Sequence, residues 1–365
     1  MPRPRFLLVL LAGVLWLTGI TSAQQATPGH PWMVFVQSDI DATGLDRLVF
    51  MDLQTGAENT LDVYGENYTI FGDEIMFYDY ANRRVTLVAP DTTLRLHPFI
   101  RVLADTYRVD WVLDDERIAW TITSRDPDGQ LETVTSVAAL NGANAQIVFN
   151  HRDPETPDLR AQPLAFSANR DVLYMDFQLD GLSAFTPFSL YTRIFALDLT
   201  TGAYEFLPDE PANCICGAAI RAGKFARLRL ADDLGGFDFH LYDLRGGFED
   251  RIEALRLDAA YDNGGDVLLT PDGRRAVYAL SQIEDFGRET QSITTVFVLV
   301  DLLTMTQTNL TTTPIRTFVV PVDWTEDNSA LLLTNPTQDG TWKINLSDGR
   351  LERVAEATYI GRING

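Results

Sequence analysis

Thr270-Pro271-Asp272-Gly273-Arg274-Arg275-Ala276-Val277-Tyr278-Ala279-Leu280 is the stretch that decides the architecture of this chain. Pro271, Asp272 and Gly273 accept the backbone angles of a tight hairpin turn. Ala276 to Leu280 is apolar without interruption. A strand of that composition must be covered on both faces, not on one.

Outward from this stretch, the same turn-then-strand unit returns at Leu113–Trp120, Ser167–Tyr174 and Thr325–Leu332, with weaker copies at Gly72–Ile75 and Ala222–Phe225. Two copies share a lead-in, Val109-Asp110-Trp111 and Val322-Asp323-Trp324. A second unit, a hydrophobic strand ending in Asp-Leu before a turn with Gly, is clearest at Met51–Gly56 and Leu197–Gly202. Looser copies place its Leu at 140, 244, 302 and 346, and a degenerate copy is expected near Arg84–Val88. The mean spacing is about 49 residues, in the range of a four-stranded propeller blade. Long amphipathic helix patterns are missing after residue 24. Many short strands at even spacing predict an all-β closed architecture.

Ser/Thr-Pro-Asp-Gly followed by a basic residue and an apolar strand resembles the WD40-like (PD40) repeat of the TolB-type β-propellers. Thr270–Leu280 fits that pattern well, whereas the copies at 113, 167 and 325 keep the turn and strand but lose the Pro. The resemblance spans roughly Trp32 to the end. It implies a fold and not a role, because the repeat is structural; the extra N-terminal domain of TolB is not evident. Seven blades are counted, with cores near 32–61, 68–90, 107–150, 160–208, 216–255, 265–311 and 317–355; six or eight are the alternatives. The first blade has no obvious innermost strand before Trp32, and the tail Thr358–Ile363 is strand-like and left over. The tail is therefore expected to complete the first blade and remove an open edge.

Residues 1–23 read as a secretory signal peptide: Arg3 and Arg5, an apolar run from Phe6 to Leu17, then Thr21-Ser22-Ala23 before Gln24. The apolar run is short of the roughly 20 residues that span a bilayer. Residues 24–365 are expected to form one propeller domain, monomeric and exported to the periplasm or outside the cell, with no membrane span after cleavage. The chain carries 29 Lys and Arg against 51 Asp and Glu, a formal charge of −22. That charge argues against a nucleic-acid binder, since phosphate backbones select excess Lys and Arg.

The chemical motifs are weak. Cys214 and Cys216 are the only cysteines. A bridge across so tight a loop is strained, so two ordinary small residues near a strand start are the leading expectation. A strained or intermolecular disulfide is the alternative, with metal binding third. His30, His97, His151 and His240 are scattered and read as isolated, although convergence on the central channel would make a metal site. Asp39–Gly44 matches the first half of a calcium loop but has Phe50 where the bidentate Glu belongs, and Asp126–Gly129 is shorter. Asp339–Trp342 and Gly181–Phe185 lack key residues of a sialidase Asp-box and a serine-hydrolase elbow. Trp111, Trp120, Trp324 and Trp342 read as core. Asn67, Asn309 and Asn345 head acceptor-type triplets for glycosylation. No catalytic, cofactor or metal residue is assigned. The leading expectation is a non-catalytic scaffold that binds a protein or ligand through the loops Phe177–Tyr191, Pro208–Gly217 and Gln282–Ser292. The alternative is a secreted carbohydrate-active enzyme, a lyase or hydrolase with its site at the channel mouth.

Overall fold

In the computed structural model the chain is described from residue 31 to 364, apart from 182–187, 248, 258–260, 286, 287, 289, 312, 336 and 337. The signal-peptide segment and His30 lie outside the described residues. The described chain forms seven four-stranded antiparallel sheets. Blade 1 holds β1 (Trp32–Gln37), β2 (Asp46–Asp52) and β3 (Glu58–Val63). Blade 2 holds β4 (Gly65–Phe71), β5 (Glu74–Asp79), β6 (Arg84–Val88) and β7 (Leu94–Leu96). Blade 3 holds β8 (Thr106–Leu113), β9 (Arg117–Arg125), β10 (Leu131–Ala139) and β11 (Gln146–His151). Blade 4 holds β12 (Leu159–Phe166), β13 (Val172–Leu179), β14 (Arg193–Asp198) and β15 (Tyr204–Phe206). Blade 5 holds β16 (Ala218–Arg221), β17 (Lys224–Leu230), β18 (Phe237–Asp243) and β19 (Glu249–Ile252). Blade 6 holds β20 (Asn263–Leu269), β21 (Arg275–Glu284), β22 (Ser292–Asp301) and β23 (Thr306–Asn309). Blade 7 holds β24 (Val320–Trp324), β25 (Ala330–Asn335), β26 (Gln338–Asn345) and β27 (Leu351–Ala355).

The last strand, β28 (Thr358–Ile363), pairs antiparallel with β1, so the C-terminal segment becomes the innermost strand of blade 1. The expected seven-bladed, C-terminally closed propeller is the observed fold. Closure consumes the exposed donors and acceptors that β1 would otherwise offer to another chain.

Both sequence units fall at constant places in the blades. The Asp that ends the second unit closes the third strand. Asp52, Asp198, Asp243 and Asp301 each accept two backbone N–H groups of the following turn through Oδ1, at 2.7–3.2 Å. The Leu after it donates its N–H to the turn between the first two strands: Leu199 to Asp171, Leu244 to Gly223, Leu302 to Arg274 and Leu346 to Ser329. The two motifs are thus two halves of one hydrogen-bonded corner. At the first-to-second strand turn, Gly273 has φ 65°, and Asn328 and Arg170 take the same left-handed angle at the matching places, 53° and 58°. Loss of Pro therefore leaves the turn intact. The degenerate copy at 84–88 is β6, a third strand as expected.

Among the described residues the apolar core divides into seven clusters, one at each blade–blade interface. That between blades 5 and 6, for example, joins Phe239 and Ala226 to Tyr278 and Val298. Phe35 and Tyr359 meet Leu332 across the closing interface. Uninterrupted apolar strands are explained by this arrangement, since a sheet inside the ring has a neighbour on each face. Trp111, Trp120 and Trp324 are buried in it as expected. Trp342 is half-buried, with the Arg353 guanidinium over its ring, 5.3 Å from the centroid.

The leading expectation for the cysteines is corrected: Cys214 and Cys216 are bonded to each other. They lie in a bend before β16, not in a strand. The bend leaves the Cα atoms 5.4 Å apart, within the ordinary range for a bridge, and turns Ile215 outward.

Candidate functional site

Four strands per blade make all inner strands run the same way, and the connections alternate between two ends of the ring. The turn end carries the short motif-bearing turns. The loop end carries the second-to-third-strand loops and the blade-to-blade crossings, including 180–192, 207–217 and 285–291. The described ends of all three long segments expected to form the interaction surface lie at this end of the ring; Gln282–Glu284 and Ser292 of the third belong to β21 and β22.

Tyr64, Tyr80, Leu103, Tyr107, Leu179, Ile215 and Leu234 are exposed in or beside loop-end connections, while Leu94, Tyr204 and Leu303 are exposed in or beside turn-end ones. The tyrosines sit beside charged groups that are already paired. Tyr80 Oη donates to Glu66 on inner strand β4. Tyr107 Oη donates to Asp180 Oδ2 at 3.0 Å, and Arg125 both stacks over the Tyr107 ring and donates to the same oxygen at 3.1 Å. Deeper in, Asp110 accepts from Arg108 at 2.8 Å and from buried Arg160 at 2.9 Å. Burial pushes the Arg160 pKa down and the Asp110 carboxylate opposes that shift.

On the other side of the mouth, Arg227 ties two loops together. It is fully buried and faces the Glu210 carboxylate at 3.2 Å, also inaccessible. Its Nη1 donates to the Cys216 carbonyl and Nη2 to the Tyr191 carbonyl, both at 3.0 Å, beside an antiparallel bridge between Tyr191 and Cys216. Burial pushes Glu210 upward against the pull of Arg227. Asp176, wholly buried, accepts the backbone N–H groups of Thr192 at 3.1 Å and Arg193 at 2.8 Å, and desolvation raises its pKa to about 7.

Asp266 is the most unusual carboxyl group. It sits at a bulge of inner strand β20, with φ 48°. Its Oδ1 accepts the Ser189 N–H at 2.9 Å, while Oδ2 is buried and has no hydrogen-bond partner. Desolvation raises its pKa to about 7. Left-handed non-glycine residues and bulges gather near functional sites. Neither Asp176, Glu210, Arg227 nor Asp266 is singled out by a motif, because the pairs they form are distant in sequence.

The described histidines do not meet in the channel. His97 is buried between Phe71 and Phe99 and accepts the Ile100 N–H, and burial lowers its pKa to about 4. His151 ends outer strand β11, and burial lowers its pKa too. His240 on β18 approaches Asp209 and Glu249, a grouping that spacing did not suggest. Asp39 and Asp126 behave as turn residues: Asp39 Oδ1 accepts the Gly44 N–H, and Asp126 Oδ1 accepts those of Asp128 and Gln130. Asp339 Oδ2 accepts the Ser38 N–H, fastening blade 7 to blade 1. The serine of Gly181–Phe185 lies outside the described residues.

No family model matches the chain, and no curated protein matches it in sequence. Solved structures do match. A Bacteroides uniformis structure assigned as a 6-phosphogluconolactonase is 12% identical with a TM-score of 0.54, covering 92% of this chain and 99% of that one. A prolyl endopeptidase is 13% identical with a TM-score of 0.56, covering 90% of this chain and 50% of that one, so this chain spans half its length. A structure assigned as TolB from Agrobacterium tumefaciens also matches, at 10% identity and a TM-score of 0.39 over 80% of this chain and 91% of that one. At such identities the likeness is one of fold: the chain is a seven-bladed β-propeller. No match singles out the PD40 family.

Proposed function

We propose that the chain is an exported, non-catalytic β-propeller that binds a protein or glycan partner on its loop-end face. The observation that carries this reading is the set of half-exposed tyrosines Tyr64, Tyr80 and Tyr107 at the loop end, beside Asp180 and Asp110 carboxylates that arginines already pair. Tyrosine offers large contact area at small entropic cost, and contact surfaces are enriched in it. Arg227 and the Cys214–Cys216 bridge hold the loops in place, so little ordering remains to be done on binding. The acidic composition and the secretory-type leader support an exported protein without a nucleic-acid partner.

The test compares wild type with Y64A/Y80A/Y107A and with the turn-end control L303A, each immobilised and exposed to the native exported fraction and to a glycan array. The triple variant should lose at least tenfold of whatever wild type and L303A retain. Equal retention by all three would overturn the reading.

A further inference from the structure

We infer that blade 5 carries a binding site for a single first-row divalent cation of the zinc class, formed by Asp209, His240 and Glu249, with Tyr242 hydrogen-bonded to Asp209 beside them. His240 and Tyr242 are two residues apart on β18, so their side chains share a face. Glu249 pairs directly across from Tyr242 on β19. Asp209 arrives from the crossing that leads from blade 4 into blade 5, with φ 65°. Thirty-one residues separate it from His240, and the ring alone brings them together.

The donor atoms face one another at close range. His240 Nδ1 lies 3.0 Å from Glu249 Oε1 and 3.7 Å from Asp209 Oδ2. Tyr242 Oη lies 2.6 Å from Asp209 Oδ2, 3.3 Å from Glu249 Oε1 and 3.4 Å from His240 Nδ1. A tetrahedron of N and O ligands about 2.0–2.1 Å from an ion has edges of about 3.3 Å. The two His240 separations, 3.0 and 3.7 Å, lie on either side of that edge, so an ion seats with small side-chain shifts. An imidazole and two carboxylates, with the fourth position open, are a nitrogen and oxygen set suited to zinc-like ions, not the all-oxygen shell that calcium takes.

Charge and access agree. Asp209 and Glu249 bring two carboxylates to the imidazole. Arg229 pairs with Asp209 Oδ2 and holds it in place, the role that hydrogen-bond donors behind ligating carboxylates play. Glu249 has half its side chain in solvent, which leaves the ion a path in, while His240 is buried.

The test is zinc binding to the full chain after chelator treatment, read by competition with a chromophoric chelator, with thermal melts in parallel. Wild type should bind one equivalent and melt higher with zinc. E249A, at an exposed position that leaves folding intact, should bind at least tenfold more weakly and lose the zinc-dependent rise in Tm; H240Q should do the same. Wild type that binds no zinc below millimolar concentration, variants that bind as wild type does, or calcium bound more tightly than zinc would each overturn the assignment.

Discussion

Two buried acids and one buried base set the energetics at the residue scale. Arg227 and Glu210 are both inaccessible to solvent. Removing one partner of such a pair leaves an uncompensated charge, so R227A should lose about 3–5 kcal/mol in denaturant unfolding. The carbonyls of Tyr191 and Cys216 would lose their donor in the same step. Asp266 supplies a pH dependence. Its folded carboxyl ionises at about 7, above the usual carboxylate value. The native state therefore holds an extra proton between those two pH values, so its stability is greatest below the unfolded pKa and falls as pH rises toward 7. D266N removes that loss, and asparagine tolerates the left-handed angle. Its stability relative to wild type should rise by on the order of 4 kcal/mol between pH 4 and pH 8, measured as Tm against pH.

Elements are secured less by covalent bonds than by close backbone approach. The Cys214–Cys216 bridge closes a loop of three residues, and by chain entropy such a loop is worth only about 1.5 kcal/mol. C214S/C216S should accordingly unfold within about 2 kcal/mol of wild type. Gly217, next in the chain, matters more. A Cβ there would lie 2.7 Å from the Gly265 Cα and 2.8 Å from its carbonyl carbon, backbone atoms of the neighbouring inner strand. G217A should cost about 2–3 kcal/mol, more than loss of the disulfide beside it, as read by urea or guanidinium unfolding. The motif-bearing turns are robust by contrast, because several side-chain and backbone bonds share the work. Thr270 alone holds its turn through bonds to Asp272 and to the Arg274 and Arg275 N–H groups.

For the whole molecule the decisive joint is the one between β28 and β1. Truncation before Thr358 would leave β1 as an open inner edge and strip Tyr359 and Ile363 from the cores they share with blades 7 and 2. Such a chain should self-associate in light-scattering chromatography and melt well below the full-length protein, since exposed flat edges recruit further strands. A truncated chain that stayed monomeric with an unchanged Tm would show that closure contributes little.

The periodic part of this molecule was legible in the chain itself. Each corner of each blade needs a short-range chemical device, a left-handed residue or an Asp that accepts turn N–H groups, and such devices are written within a few residues. That is why Thr270–Leu280 and Met51–Gly56 gave away the blades and their phase, and why the spare tail at Thr358–Ile363 pointed to closure. The long loops of the loop end were legible as segments, but the contacts that hold them were not. Arg227 and Glu210 are 17 positions apart, and Asp209 meets His240 only because blade 4 delivers its exit beside the outer strands of blade 5. Local spacing determined the ring; the charge pairs, the bonded cysteines and the exposed tyrosine face were decided by the ring's closure, because burial and proximity between distant segments exist only once every sheet has its neighbours.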